Sequence, residues 1–281
     1  MLPTLHRPER PWSLRHRAHA VPGAAAASAR LLRNAVPWLA VLGLAAFEDC
    51  LARSGMLDAK RFPPVSTVAL TLLDEIVNGH VWTPLAETAF AWLVSLFLSF
   101  ALALALAVGL NLSVRLRDYT APVVAFLRPM PCTALIPLVI VSIGANTNGL
   151  VFLTTFGALW QMLPGLAHAF GKHDTVAQDT ARVFRFSGWQ TFRWLTLPAL
   201  EPYMLSALRI GATASLVLLI GMELLTGAAG IGRLIAFAYA GSNLTLMYAY
   251  VALSGLLGVA TNLLLGRAVT RRAARVGGRS R

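Results

Sequence analysis

The sequence predicts an all-α membrane protein with about six transmembrane helices. Of its 281 residues, 57% are hydrophobic and only 13% are charged, whereas a soluble domain has about 25% charged residues. The apolar residues also form long runs with the charged residues between them, and residues 129–171 contain no Asp, Glu, Lys or Arg. Because a bilayer core needs roughly 20 helical residues to cross it, these runs indicate membrane spans.

Each span follows from an apolar run of sufficient length. The run 88–114 is uncharged and fits one helix, whereas 129–171 is too long for one and is divided by the sequence GANTNG at 144–149. The first run is the least apolar, since Glu48 and Asp49 lie near its end. The six predicted spans lie near residues 34–52, 88–114, 122–143, 149–170, 203–226 and 245–267.

The positions of lysine and arginine predict the orientation, because these residues favour cytoplasmic loops. Of the 24 Lys and Arg residues, 18 lie in segments 1–34, 111–121, 171–201 and 267–281. An orientation with both termini in the cytoplasm places these four segments inside. The net charge of +12 is therefore not a nucleic-acid surface, because the arginines are distributed along the edges of apolar runs.

A short helix is predicted in the outer segment that joins the first two spans. The sequence FPPVSTVALTLLDEIVNG, residues 62–79, has apolar residues at helical spacing, with Ser66 as the N-cap. We expect an amphipathic helix on the outer surface, although an ordinary connector would also account for the segment.

The segment 177–202, AQDTARVFRFSGWQTFRWLTLPALEP, is a polar interruption on the predicted cytoplasmic side. Asp174 can cap a helix that continues through Phe186, Ser187-Gly188 is a turn signal, and a second helix would run from 189 to 196 and end at Leu197-Pro198. Its aromatic residues are too many for a solvated linker, so we expect some to lie at the lipid interface and others to be covered by a protein surface. A generic pair of helices beside the membrane is the alternative. These aromatic residues are Phe184, Phe186, Trp189, Phe192 and Trp194.

This segment resembles the EAA loop of permease subunits of binding-protein-dependent ABC importers, whose pattern is Glu-Ala-Ala-x3-Gly-x9-Ile-x-Leu-Pro. Asp179, Thr180 and Ala181 stand at the start of the pattern, and Arg185 stands at the glycine. Leu195, Leu197 and Pro198 stand at the Ile, Leu and Pro positions with the spacing intact.

Two further motifs extend the resemblance from about residue 63 to residue 267. The sequence RPMPCTALIPLVIVSIG at 128–144 resembles the third-helix signature of the nitrate, sulfonate and taurine branch. The sequence GIGRLI at 230–235 resembles the outer Gly-x-Gly turn, and the placement of Glu223 also matches.

The resemblance implies a type I importer permease bundle of the bacterial inner membrane. Together with the distribution of basic residues, it leads us to expect a cytoplasmic tail at 1–34, a permease domain at 35–267 with a coupling loop at about 171–200, and a basic cytoplasmic tail at 268–281. The expected partners are two cytoplasmic ATPase subunits, a periplasmic solute-binding protein, a second permease copy and membrane lipid. The expected cargo is a small anion such as a sulfonate, taurine or nitrate, although related permeases carry vitamin precursors.

Arg185 is the departure from the family pattern with the clearest physical consequence, because glycine readily adopts a positive φ in a tight turn. Gly188, three residues later, could provide the turn and lengthen the first helix. Our hypothesis is that this permease pairs with an altered ATPase groove. The coupling residues on this interpretation are Asp179, Thr180, Ala181, Arg185, Gly188, Leu195, Leu197 and Pro198.

Four residues are candidates for the translocation path: Arg128, Met130, Pro131 and Glu223. A cation at membrane depth is costly and often functional, so Arg128 and also Arg209 could contact an anion, or could instead extend to the inner surface. Prolines near 131 could open a polar path or simply kink the helix. Glu223 could gate the path, cap the segment GAAGIG, or pair with Arg233.

Catalytic signals do not appear in the sequence. A phosphate-binding loop needs Gly-x4-Gly-Lys-Ser/Thr, but Gly171-Lys172 is followed by His173, so ATP and Mg²⁺ are expected to be used by a partner ATPase. No histidine has a partner at metal-ligand spacing. A secondary transporter driven by an ion gradient would show inverted repeats, and a membrane-embedded enzyme would show clustered His, Asp or Glu; neither pattern is found.

Overall fold

The computed structural model describes residues 24–56, 58, 60–171 and 175–277, which form eleven α-helices. A 3-10 turn, Cys132–Leu135, precedes the fifth helix, and a π turn, Phe192–Thr196, joins the eighth to the ninth. The helices are α1 (Ala24–Arg53), α2 (Val65–Val77), α3 (Trp82–Asn111), α4 (Val114–Leu127), α5 (Ile136–Ser142), α6 (Thr147–Gly171), α7 (Thr175–Val183), α8 (Gly188–Thr191), α9 (Leu197–Thr226), α10 (Ile231–Ala240) and α11 (Leu244–Gly277).

The predicted all-α membrane architecture is confirmed. Within the described residues, four helical stretches are long and apolar enough to cross a membrane: α3, α6, the stretch 188–226 that contains α9, and residues 244–267 of α11. The bent pair formed by α4 and residues 132–142 makes a fifth. Helix α1 covers the remaining predicted run, so the expected number of about six is consistent with the structure.

The predicted span near 122–143 is not a single helix. Helix α4 ends at Leu127, and the chain resumes after a break with an angle of 81° between the two parts. Pro129 and Pro131 flank Met130 at the break, and a proline both lacks an N–H donor and disfavours helical backbone in the residue before it. Two prolines this close therefore end the helix where a single one would kink it.

Helix α6 is the centre of the bundle. In its most apolar part, 56% of the residues are buried, against 17% in α11, and it packs mainly against α3 and α9. A helix that is apolar on all sides is suited to this position. On the neighbouring helices, the Trp92 indole N–H of α3 lies 3.0 Å from both the Ala212 carbonyl oxygen and Ser215 Oγ of α9. These contacts hold α3, α6 and α9 together as one unit.

Small residues let α6 and α9 approach closely. A Cβ atom added to Gly211 of α9 would overlap the Met162 side chain of α6, which is itself completely buried. Close backbone approach at small residues is a general way in which helices associate inside membranes. Gly211 therefore sets the distance between these two helices.

Helix α2 confirms the predicted short helix before the second span. It buries Leu72 and packs against α11 and α1. The predicted N-cap is wrong, because Pro64 occupies that position. Ser66 instead donates from its N–H and its hydroxyl to Asp49 Oδ1 of α1, at 3.0 and 2.6 Å. An acceptor from a neighbouring helix thus does the work of the expected cap.

We expect Gly211→Leu to lower the melting temperature of the purified permease in detergent. The added side chain must displace Met162 between α6 and α9, and overpacking of this kind costs about 1–3 kcal/mol. Gly221→Leu is the matched control on the same helix, because a Cβ there meets no atom within 4 Å. Equal melting temperatures for the two variants would show that α6 and α9 are not held at this distance by Gly211.

Candidate functional site

Residues 175–196, which we call the elbow, lie between α6 and α9 at one end of the bundle. The chain reverses direction at Arg185, whose φ of 51° is in the left-handed region. The Phe186 N–H donates to the Ala181 carbonyl at 2.9 Å, and the Arg185 N–H donates to the Arg182 carbonyl at 3.0 Å. This pair of hydrogen bonds is the Schellman motif, which normally places glycine where Arg185 stands.

The expectation that Gly188 provides the turn is therefore wrong, and so is the helix through Phe186. Helix α7 ends at Val183, and Gly188 is the first residue of α8. Arg185 adopts the glycine conformation itself, at a cost of about 1–2 kcal/mol for a residue with a side chain. The predicted cap residue Asp174 lies outside the described residues.

Helix α8 begins with a capping box that fixes its direction. The Gln190 N–H donates to Ser187 Oγ at 3.3 Å, and the Ser187 N–H donates to Gln190 Oε1 at 2.8 Å. The sequence pattern Ser-x-x-Gln is a known signal for this arrangement, so it could have been recognised in residues 187–190. The elbow thus satisfies its exposed backbone groups locally.

The second predicted helix does not end at Leu197-Pro198. Helix α8 continues through the π turn into α9, so residues 188–226 form one helical stretch of 39 residues. The Leu197 N–H bonds to the Phe192 carbonyl, which is a step of five residues rather than four. We attribute the continuity to this wider turn, because a regular turn would bring the Trp194 carbonyl against the Pro198 ring.

The elbow exposes a large aromatic surface. Phe184 is 70% exposed, and Trp189 and Trp194 are each 67% exposed. The rings of Trp189 and Phe192 stack with centroids 5.9 Å apart. Beside them are charged groups, among them the Arg182 and Asp179 pair at 3.3 Å. Exposed aromatic residues with nearby polar groups are typical of protein docking surfaces.

The sequence-predicted coupling residues are all part of, or adjacent to, the elbow. Ala181 is buried and Leu195 is half-buried, whereas Leu197 and Pro198 are exposed. Thr180 and Gly188 are exposed on either side of the turn. The structure thus brings these residues together on one continuous stretch of chain.

A buried carboxylate organises the opposite end of the bundle. Glu223 and Thr88 are both completely buried. The Thr88 hydroxyl donates to the Glu223 carboxylate at 2.9 Å and accepts the Ile231 N–H at 2.9 Å. The Gly232 N–H donates to Glu223 Oε2, also at 2.9 Å. Glu223 therefore caps the start of α10, as one of the sequence-based alternatives proposed.

Glu223 forms no direct ion pair with Arg233 in the part of the chain that the structure describes. Arg233 instead forms an ion pair with Glu87 of α3, at an N–O distance of 3.8 Å. The approach of Glu223 to α10 also depends on Gly230, which has a φ of 141° and where a Cβ atom would overlap the carboxylate. Because Gly230 of the Gly-x-Gly turn has no side chain, the Glu223 carboxylate can lie against the turn.

An open cavity of about 750 Å³ lies on the side of the bundle between the bend after α4 and the helices α6, α9 and α11. Met130 and Pro131, two of the residues predicted for the path, are among its lining residues. Arg128 and Glu223 are not among its lining residues. The Arg128 carbonyl instead accepts the Gln161 side-chain N–H at 3.3 Å, and Glu223 lies in the network around α10.

Three uncharged polar residues were not predicted from the sequence: Thr88 in the Glu223 network, and Gln161 and Asn262 in the lining of the cavity. They carry no charge, yet an uncharged polar residue inside a membrane span also requires a partner. Isolated Thr, Gln and Asn residues within the apolar runs were the available signal. Within the described residues, no group of three or more His, Cys, Asp or Glu side chains could hold a metal ion.

We expect Glu223→Ala to destabilise the protein strongly, because it leaves the Gly232 N–H and the Thr88 hydroxyl without their acceptor. Each unsatisfied buried group costs about 1–3 kcal/mol. Glu223→Gln keeps one acceptor oxygen in nearly the same volume and should lose less. Melting temperatures in detergent measure both effects. An unchanged value for Glu223→Ala would contradict the capping role.

Comparison with known proteins connects this architecture to a family. Residues 99–277 match the family described as "Binding-protein-dependent transport system inner membrane component". The chain is 30% identical over 207 residues to SsuC of Escherichia coli K12, named as an aliphatic sulfonates transport permease; the match covers 73% of this chain and 77% of SsuC. It is 29% identical over 162 residues to the nitrate import permease NrtB of Leptolyngbya laminosa, covering 57% of this chain and 58% of NrtB.

A bicarbonate transport system permease, CmpB of Synechococcus elongatus, is 29% identical over 52% of this chain and 54% of its own length. Among solved structures, an inward-facing crystal form of the MetNI methionine ABC transporter matches with a TM-score of 0.56 at 23% identity, covering 66% of this chain and 93% of that chain. That likeness shows the fold. The chain belongs to the family of inner-membrane permease components of binding-protein-dependent ABC importers, as its motifs predicted.

Proposed function

We propose that this permease imports a small anion by alternating access, as a homodimer driven by two copies of a separate ATPase. A binding protein would deliver the anion to the outer face. The observation that carries the proposal is the elbow, which projects an aromatic surface from a stiff, self-capped turn and continues directly into the membrane helix α9.

The elbow has the two properties that mechanical coupling needs. Its aromatic residues give a partner protein apolar anchors that can be desolvated on binding. Its backbone is fixed by the Schellman bonds at Arg185 and by the capping box at Ser187, so a displacement at the surface would be transmitted rather than absorbed.

If the elbow docks a cytoplasmic ATPase, the permease is oriented with both termini in the cytoplasm. This orientation places the elbow and 18 of the 24 Lys and Arg residues inside, in agreement with the usual bias of basic residues. The network around Glu223 and α10 would then lie toward the periplasm, where the binding protein docks.

The names of three relatives support an anionic cargo. NrtB, SsuC and CmpB are named for nitrate, aliphatic sulfonates and bicarbonate, which are all small oxyanions. Sulfonate, taurine or nitrate therefore remain the cargo we propose. A vitamin precursor or another small solute is the alternative within the same mechanism.

Cysteine crosslinking tests the docking surface. In a variant whose native Cys50 and Cys132 are replaced by serine, we expect a cysteine at Phe184 or Trp189 to crosslink to the partner ATPase. A cysteine at Phe237 of α10, which is 64% exposed, is the control and should not react with it. Crosslinks from α10 but not from the elbow would reverse the proposed orientation.

Substitution of Arg185 separates the backbone role of this residue from its charge. Arg185→Gly favours the left-handed turn and should keep ATPase activity coupled to transport, whereas the β-branched Arg185→Val disfavours it and should lower transport per ATP hydrolysed. If both variants lose coupling equally, the guanidinium rather than the turn is required. If Arg185→Gly drives a generic family ATPase no better than the wild type, the hypothesis of an altered ATPase groove fails.

A further inference from the structure

We propose that Arg209, held by Asn262, is an anion-binding subsite in the cavity between α6, α9 and α11. This inference rests on the proposed function and adds the residue that would contact the cargo inside the membrane. The cargo class it fits is a small oxyanion, because a guanidinium offers several N–H donors in one plane to carboxylate-like or tetrahedral oxygens.

The position of the guanidinium is fixed by a neutral partner. Arg209 Nε donates to Asn262 Oδ1 of α11 at 2.9 Å. The guanidinium also packs over Gly266, where a Cβ atom would lie 3.5 Å from Arg209 Cζ. The guanidinium thus lies beside α11 at Gly266, at a distance that would be ordinary van der Waals contact for a Cβ atom there. An amide orients the cation and leaves its charge in place, whereas a carboxylate would neutralise it.

The electrostatics of the cavity favour an anion. Among the described residues that line it, Arg209 is the charged one and none is acidic. Arg209 also forms no ion pair with a carboxylate within the part of the chain that the structure describes. A positive charge at membrane depth without such a partner is expensive and is usually functional. The cost is explained if an anion neutralises the group during transport.

The other polar groups of the cavity are uncharged and surround the same space. Gln161 of α6 and Ser206 and Thr213 of α9 line it together with Arg209. Arg209, Thr213 and Asn262 are exposed in the single chain, so they are accessible from the open side. Amide and hydroxyl groups can donate to an oxyanion while the guanidinium supplies the charge.

A structural role for Arg209 makes the opposite prediction from an anion subsite, and Asn262→Asp distinguishes them. The substitution is nearly isosteric and keeps an acceptor for Arg209 Nε, so a structural link between α9 and α11 is preserved. The new carboxylate neutralises the guanidinium, so an anion subsite is lost. Asn243→Asp, at the start of the same helix and outside the cavity, is the matched control, since Asn243 Oδ1 only accepts the Leu246 N–H at 3.1 Å.

The experiment measures uptake into proteoliposomes that contain the full chain with its partner ATPase and binding protein. Nitrate, taurine and bicarbonate are the probes, and an ATPase with its Walker lysine replaced gives the background. We expect Asn262→Asp and Arg209→Gln each to lower uptake by about tenfold or more, the factor that corresponds to loss of a charge-assisted hydrogen bond, while Asn243→Asp transports like the wild type.

The possible outcomes separate the two proposals. If the wild type transports a probe and Asn262→Asp transports it equally well, the subsite is refuted and the proposed function stands. If Arg209→Gln alone fails, Arg209 has a structural role and the subsite is again refuted. If the wild type carries none of the three anions above background, the proposed cargo class fails and the subsite falls with it.

Discussion

The fold depends on one constraint: inside a bilayer, each backbone N–H and C=O group must find a partner within the protein. Continuous helices meet it automatically, so the places of interest are those where a helix stops at membrane depth or near it. At the bend after α4, the Arg128 carbonyl is bonded by the side chain of Gln161. At the start of α10, two N–H groups are bonded by Thr88 and Glu223. At both breaks, polar side chains of neighbouring helices form hydrogen bonds with backbone groups that a continuous helix would have paired.

The elbow, which we propose lies in the cytoplasm rather than in the bilayer, closes its turn with its own groups. Its Schellman bonds and capping box involve only residues of the elbow itself. Its aromatic side chains are consequently not required to hold the turn and remain on the surface. This independence is what leaves them available to a partner protein, whereas the corresponding side chains at the other two breaks are consumed by internal contacts.

The sequence was sufficient to predict the apolar spans, helix α2 and the presence of a two-helix elbow, because hydrophobic runs and helical spacing are local properties. It did not predict which residue adopts the left-handed conformation. Glycine is the residue that most readily adopts this conformation, and Gly188 was therefore expected at the turn. Arg185 adopts the left-handed conformation instead, because the hydrogen-bond register of α7 places position 185 at the turn. The 81° bend was also missed, since prolines mark where a helix weakens but not how far its parts separate. Likewise, the partner of Ser66 is Asp49 of another helix, and no local pattern specifies it.

The continuity of residues 188–226 connects the three regions of the molecule. A helix of 39 residues is roughly 58 Å long at about 1.5 Å per residue, and it carries Trp189 at the elbow, Arg209 at the cavity and Glu223 at the cap of α10. If a partner ATPase moves the elbow, as proposed, any shift of this helix relative to α11 would also displace Arg209 from Asn262. Within the packed contact between α9 and α11, Arg209 Nε donates to the Asn262 amide, and such a bond is weaker than an ion pair and easier to exchange for an anion. A neutral partner at this position is therefore consistent both with holding the guanidinium in one state and with releasing it in the other.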